Sequence, residues 1–252
     1  MTSGIVEAER VSFTYPDGTS SLREVSFRIG PGEATALLGA NGAGKSTLLL
    51  NLSGCLFPTD GVVRFGDAVM TPKTAPALRR SVGMVFQDPD DQLFMPSVLE
   101  DVVFGPLNLG MSVDAAAQKA EEVLSVVGAL HLKERPPYKL SGGEKRAVSI
   151  ASVLALSPDI LVMDEPSSNL DARSRRRLID LLRSFSHTRI IATHDLELAL
   201  EVCLRALVLH EGRIVADGPI AEVLQNGALL ERCGLERPLS LSPCVVCGAA
   251  RS

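Results

Sequence analysis

Leu140-Ser141-Gly142-Gly143-Glu144 lies downstream of Gly39-Ala40-Asn41-Gly42-Ala43-Gly44-Lys45-Ser46 and upstream of Ile160-Leu161-Val162-Met163-Asp164-Glu165. That order decides the fold. The upstream string fits G-x-x-x-x-G-K-[ST], a phosphate loop between a strand and a helix. On ordinary residue frequencies the loop pattern alone arises by accident in about one chain per hundred of this length. The Leu-Ser-Gly-Gly-Glu string arises so in fewer than about one per thousand. Found together and in this order, they are strong evidence for one architecture.

Glu33 to Leu38 reads as a buried strand running into the glycines, and the run from Lys45 reads as a helix with an apolar face. Glycines let the loop backbone approach a phosphate closely. Amides of Gly39, Ala40, Asn41, Gly42, Ala43, Gly44, Lys45, Ser46 and Thr47 then point at the anion, aided by the helix dipole. Lys45 carries a mobile positive charge for the β and γ phosphates, and the Ser46 hydroxyl suits Mg²⁺.

Ile160 to Met163 is too apolar to alternate, so it predicts a parallel strand covered on both faces. At its end Asp164 can hold Mg²⁺ and Glu165 can polarise an attacking water. A third strand, Arg189 to Thr193, delivers His194 to the same sheet edge, and Val82 to Phe86 delivers Gln87. Taken singly, such a histidine reads more readily as structural and such a glutamine as a loop residue. Near the start, Tyr15 sits beside a turn; its ring suits stacking on adenine or packing at an edge strand. Asp171 and Asp195 each suit a helix N-cap.

Taken together these strings resemble the nucleotide-binding subunit of an ABC transporter. The resemblance implies an α/β P-loop domain with a mostly parallel core sheet, an N-terminal antiparallel β subdomain and an inserted helical subdomain. It implies ATP as substrate with Mg²⁺. Gln87 takes the place of the glutamine that senses metal and water, and His194 that of the histidine contacting the γ phosphate. Ser141, Gly142 and Gly143 would serve the nucleotide of the opposite subunit, with Asp171 at the dimer seam. Two departures stand out. Glu144 replaces a frequent Gln, which puts a sugar contact in doubt, and Asn169 occupies a position often taken by a small residue.

The run Asp88 to Phe94, the segment Glu100 to Pro106 and Arg135 to Leu140 look like the ATPase subunits of energy-coupling-factor importers, especially the cobalt and nickel branch. That resemblance covers about residues 4 to 225. It implies a homodimer or a paralogous heterodimer, a transmembrane coupling subunit and a substrate-binding membrane subunit. The partner helix would be gripped near residues 87 to 95, with Leu93 and Phe94 beside it. Importers of vitamins, amino acids or other ions remain open, since substrate choice resides in other subunits. An ABC ATPase acting on nucleic acid or ribosomes lacks support: net charge is −5 and no second phosphate loop appears.

With 252 residues, 46% hydrophobic and 22% charged, the chain has the balance of a packed soluble protein. No apolar run reaches about 18 residues and no secretory signal is visible, so a cytoplasmic protein, peripheral on the membrane through its partner, is expected. Residues 1–230 are expected to form the ATPase domain, with a helical insertion at about 88–155. Residues 231–252 are expected to be a loosely ordered tail. Cys55 and Cys203 read as packing residues. Cys244 and Cys247 have the spacing of half a metal or redox site, with only Cys233 nearby. The arginines Arg173, Arg175, Arg176 and Arg177 read as a solvated helix face.

Overall fold

A computed structural model describes residues 4–242. Strands β1 (Val6–Thr14) and β2 (Ser20–Ile29) alternate in character, so each buries one face and pairs antiparallel from Val6 opposite Ile29 to Thr14 opposite Ser20. The wholly buried β3 (Ala34–Leu38) and helix α1 (Lys45–Leu52) follow. Then come β4 (Asp60–Phe65) and β5 (Ala68–Val69), which complete an antiparallel sheet of order β2-β1-β4-β5.

After a short α2 (Ala75–Leu78), β6 (Val82–Val85) enters a second sheet. Helices α3 (Val98–Asn108), α4 (Val113–Val126) and α5 (Gly142–Leu154) come before β7 (Ile160–Asp164). Then follow α6 (Ala172–Ser184), β8 (Thr188–Thr193), α7 (Leu196–Val202), β9 (Arg205–His210) and β10 (Arg213–Pro219). Helices α8 (Ile220–Gln225) and α9 (Gly227–Arg232) close the order. The sheet runs β10-β9-β3-β8-β7-β6, parallel except for β10.

The central strands β3, β7 and β8 are buried throughout and mostly apolar because each faces a core on both sides. Leu161, Met163 and Ile191 join the helices of one core, while Ile160, Val162 and Ile190 pack against α1 and the antiparallel sheet. Helix α4 buries one stripe at helical spacing, Ala116, Ala120, Val123 and Leu124.

Three expectations need correction. Order extends past residue 230: Cys233 and Leu235 are buried, and Ser240 donates its N–H and hydroxyl to Glu197. The loosely held segment therefore does not begin at residue 231; Cys244 and Cys247 lie outside the described residues. Leu93 is a core residue, whereas Phe94 is 64% exposed and packs edge-on against Phe104. The buried Asp101 fixes that turn, its Oδ1 accepting from the N–H groups of Phe94 and Met95. Cys55 is exposed, not packed. The α6 arginines form the solvated face expected of them: Arg173, Arg176 and Arg177 are exposed, Arg176 pairing with Glu201, while the half-buried Arg175 pairs through two bonds with Asp195.

Candidate functional site

Because β3, β6, β7 and β8 are parallel, the segments after them emerge along one edge of the sheet. A cavity of about 410 Å³ opens there. It is lined by Asn41, Gly42, Gly44, Lys45, Ser46 and Thr47 from the loop and α1, by Gln87 after β6, by Asp164 and Glu165 after β7, and by His194 after β8. Ser21 of β2 also lines it and donates its hydroxyl to Thr47 Oγ1 at 2.8 Å. A serine in an alternating strand carries no sequence signal for this position. Tyr15, Gly39, Ala40 and Ala43 stand just behind the lining. The Tyr15 hydroxyl bonds with Thr47 Oγ1 at 2.9 Å and its ring meets Phe13 edge-on.

The loop is tight. Gly44 has φ 106°, and a Cβ there would lie 2.6 Å from the Ser21 carbonyl oxygen, so only glycine leads into α1. Lys45, 6% exposed, donates from Nζ to the carbonyls of Gly39 at 2.8 Å and Ala40 at 3.3 Å, and faces Glu165 Oε1 at 3.5 Å. Glu165 adopts φ 43°, a left-handed backbone that a side-chain-bearing residue holds at a cost. Its N–H donates to the Ala192 carbonyl of β8 at 2.8 Å, which fixes that turn. Its Oε2 accepts the His194 N–H at 3.2 Å and lies 2.8 Å from His194 Nδ1.

Two buried oxygens, Asp164 Oδ1 and Glu165 Oε1, have no hydrogen-bond partner among the described residues. Burial raises the Asp164 carboxyl above its ordinary range, and Glu165 adds to this. The nearby Ser46 hydroxyl, Lys45 and Arg146 pull it back. Unpartnered carboxylate oxygens beside a hydroxyl and an amide form a hard oxygen donor set, which fits Mg²⁺. Among the described residues no cluster of three or more His, Cys, Asp or Glu suits a metal. Mg²⁺ shared with phosphates needs only one or two protein carboxylates, so this agrees with the donor set. The amides at the start of α1 and the Lys45 ammonium suit a polyphosphate.

Ser141, Gly142, Gly143 and Asp171 do not line this cavity. Ser141 is the N-cap of α5: its N–H and hydroxyl both donate to Glu144 Oε2 at 2.8 Å, and the Glu144 N–H reaches Ser141 Oγ at 3.4 Å. Those bonds from Ser141 hold the Glu144 carboxyl below its usual range. Asp171 caps α6 by accepting from the Ser174 N–H at 2.7 Å. Ser141, Gly143 and Asp171 face a cleft of about 600 Å³ between α5 and α6. Gly143 is glycine for a packing reason as well: a Cβ there would stand 2.2 Å from Ser174 Oγ.

Sequence reasoning also missed Arg146, which is 2% exposed and donates from α5 to the Phe86 and Gln87 carbonyls. It sits in a polar run, Glu144-Lys145-Arg146, that reads as a solvated helix start.

The family described as ABC transporter matches residues 22–168. A Geobacter sulfurreducens protein bearing the name of an ABC transporter ATP-binding protein is 56% identical over 98% of this chain and 100% of its own length. The chain belongs to the ABC transporter ATP-binding family. Among solved structures, cbiO1 of Clostridium perfringens, described as part of the ABC transporter complex cbiONQ, is 37% identical. Its TM-score is 0.80 over 90% of this chain and 93% of its own. A dimeric ATP-binding cassette bound to ADP and phosphate is 27% identical, with a TM-score of 0.77 over 85% of this chain and 98% of its own. This chain is accordingly an ATP-hydrolysing subunit of a transporter.

Proposed function

We propose that this ATPase powers an energy-coupling-factor type importer, for cobalt or nickel ions, as one half of a dimer that sandwiches two ATP molecules. The exposed Phe94–Phe104 pair, in the stretch of chain that follows Gln87, carries the coupling part of this reading. Among the described residues no helix is long and apolar enough to cross a membrane, so the membrane step belongs to partner subunits. The likeness to cbiO1 supports this assignment, as do the runs Asp88 to Phe94 and Glu100 to Pro106.

Each residue has a role set by where it stands. Lys45 and the loop amides neutralise the β and γ phosphates, and Tyr15 meets the adenine. Ser46, Asp164 and Gln87 would hold Mg²⁺, which would supply further positive charge there. Glu165 orients a water in line with the γ phosphorus and takes its proton as the bond to the bridging oxygen breaks. His194 holds the Glu165 carboxylate and faces the γ phosphate. Within one chain Ser141, Gly142 and Gly143 lie away from Lys45, as they must if they complete the site of a second copy across a seam at Asp171. Catalysis is then positioning and charge neutralisation, assembled by closure.

The test uses cells lacking this chain and complemented with it. Replacing both Phe94 and Phe104 by Ser should abolish cobalt and nickel accumulation and release the subunit from its membrane partners. Basal ATPase of the purified chain should stay within about twofold, because neither ring touches the nucleotide cavity. Unchanged metal accumulation in the deletion strain refutes the substrate. Basal hydrolysis lost in parallel with uptake refutes the docking role.

A further inference from the structure

The segment that carries Gln87 is held by the helical insertion rather than by the sheet it leaves. β6 ends at Val85, and the next seven residues are tied to α5 by side chains. Arg146 Nη1 donates to the Phe86 carbonyl at 2.6 Å and Nη2 to the Gln87 carbonyl at 2.5 Å. Gln92 Nε2 donates to Ser149 O at 2.7 Å and Ser152 Oγ at 2.9 Å, and its Oε1 accepts from the Phe86 N–H. Lys145 pairs with Asp90 at 2.6 Å.

Arg146 differs from the other ties because it is buried. A guanidinium out of water is costly unless its donors are used. Here its Nε has no partner among the described residues, and burial pushes its pKa down to about 10, with Asp88 and Asp164 pulling it back up. The two bonds it does make go to consecutive carbonyls. The Phe86 carbonyl belongs to the peptide plane before the Gln87 Cα and the Gln87 carbonyl to the plane after it. Holding both planes fixes φ and ψ of Gln87, and with them the direction of its Cα–Cβ bond.

We infer that Arg146 is the positioning residue that aims Gln87 into the nucleotide cavity, so that α5, with Ser141 at its N-cap, and Gln87 move as one unit. This rests on the reading of Gln87 given under the proposed function. A shift of α5 on meeting a second subunit is thereby transmitted toward the carboxylates, with the Arg146 guanidinium as the tie that grips Gln87 itself. Lysine in its place has no planar fork and reaches a single carbonyl at best.

The test is a double-mutant cycle on the full chain with Mg-ATP. Arg146→Lys should lower kcat about tenfold, the scale of a misaimed group, while KM for ATP stays within about twofold. In a Gln87→Ala background the same change should cost less than about twofold, since residues acting through one another are not additive. Equal losses in both backgrounds would make Arg146 a general structural residue and overturn the inference, as would a raised KM at unchanged kcat. Should Gln87→Ala alone leave turnover intact, the reading of Gln87 itself fails and this inference falls with it. If Arg146→Lys does not fold, Gln92→Ala cuts the same segment from α5 without stranding a charge. It must show the same dependence on Gln87.

Discussion

Replacing Gly143 by alanine separates packing from phosphate contact in the signature string. The added methyl would stand 2.2 Å from Ser174 Oγ and 2.7 Å from its Cβ. Carbon atoms normally approach to about 3.5–4.0 Å, so α5 and α6 must part by about 1 Å. Overpacking of this kind costs about 1–3 kcal/mol. Removing the Ser174 side chain leaves only its Cα, 3.9 Å away and in ordinary contact. Ser174→Gly by itself costs about 0.5–1 kcal/mol, the usual loss for glycine in a helix. The double variant should therefore be no less stable than Ser174→Gly alone. Urea titration of the four chains measures this, and ATP hydrolysis on the same samples supplies the functional arm. Recovery of stability without recovery of hydrolysis would show that the bare Cα at 143 also admits the nucleotide of a second copy. Additive losses in the cycle would refute the packing argument.

Glu165→Gln should retain ATP binding, hydrolyse at least about 10²-fold more slowly and accumulate an ATP-bound dimer on size exclusion; a monomer with near-normal turnover contradicts this. Burial pushes the Cys203 thiol up to about 12 from 9.0, so the native state keeps its proton where the unfolded chain releases it. Stability is therefore full below pH 9 and falls above it, by roughly 1.4 kcal/mol per pH unit relative to Cys203→Ala. Parallel stability curves for the two chains above pH 9 would count against that burial. Truncation after Ser242 supplies the reference chain. Truncation after Arg232 removes the buried Cys233 and Leu235 and should cost about 3 kcal/mol; equal melting of both truncated chains would mean those contacts are idle.

The strands that lead to the cavity, and most of the cavity itself, were legible because those strands are short, mostly apolar runs that lead into the phosphate loop or a distinctive polar residue. Lys45, Ser46, Gln87, Asp164, Glu165 and His194 do line one cavity. What escaped had no periodicity to read. Leu93 lies in a turn between a one-turn helix and α3, so nothing in its neighbours tells burial from exposure. Arg146 looks like a solvated residue, and only the packing of α5 against the Phe86 segment takes it out of water. The end of the domain was set too early because the buried Cys233 and Leu235 stand in a short turn after α9 and ahead of Pro238, where no helical stripe can emerge.

The helical insertion leaves the sheet at Val85 and returns at Ile160, and those two strands are neighbours paired from Val82 with Ile160 to Val85 with Met163. Its two anchor points are thus held side by side by backbone bonds that owe nothing to what lies between them. Such a graft site lets the intervening stretch diverge, acquiring a new docking face for a different membrane partner while the phosphate loop and the acid pair keep their register. The exchange has one condition. An incoming insertion must bring a basic side chain able to grasp the Phe86 and Gln87 carbonyls, or it inherits a scaffold whose glutamine is no longer aimed.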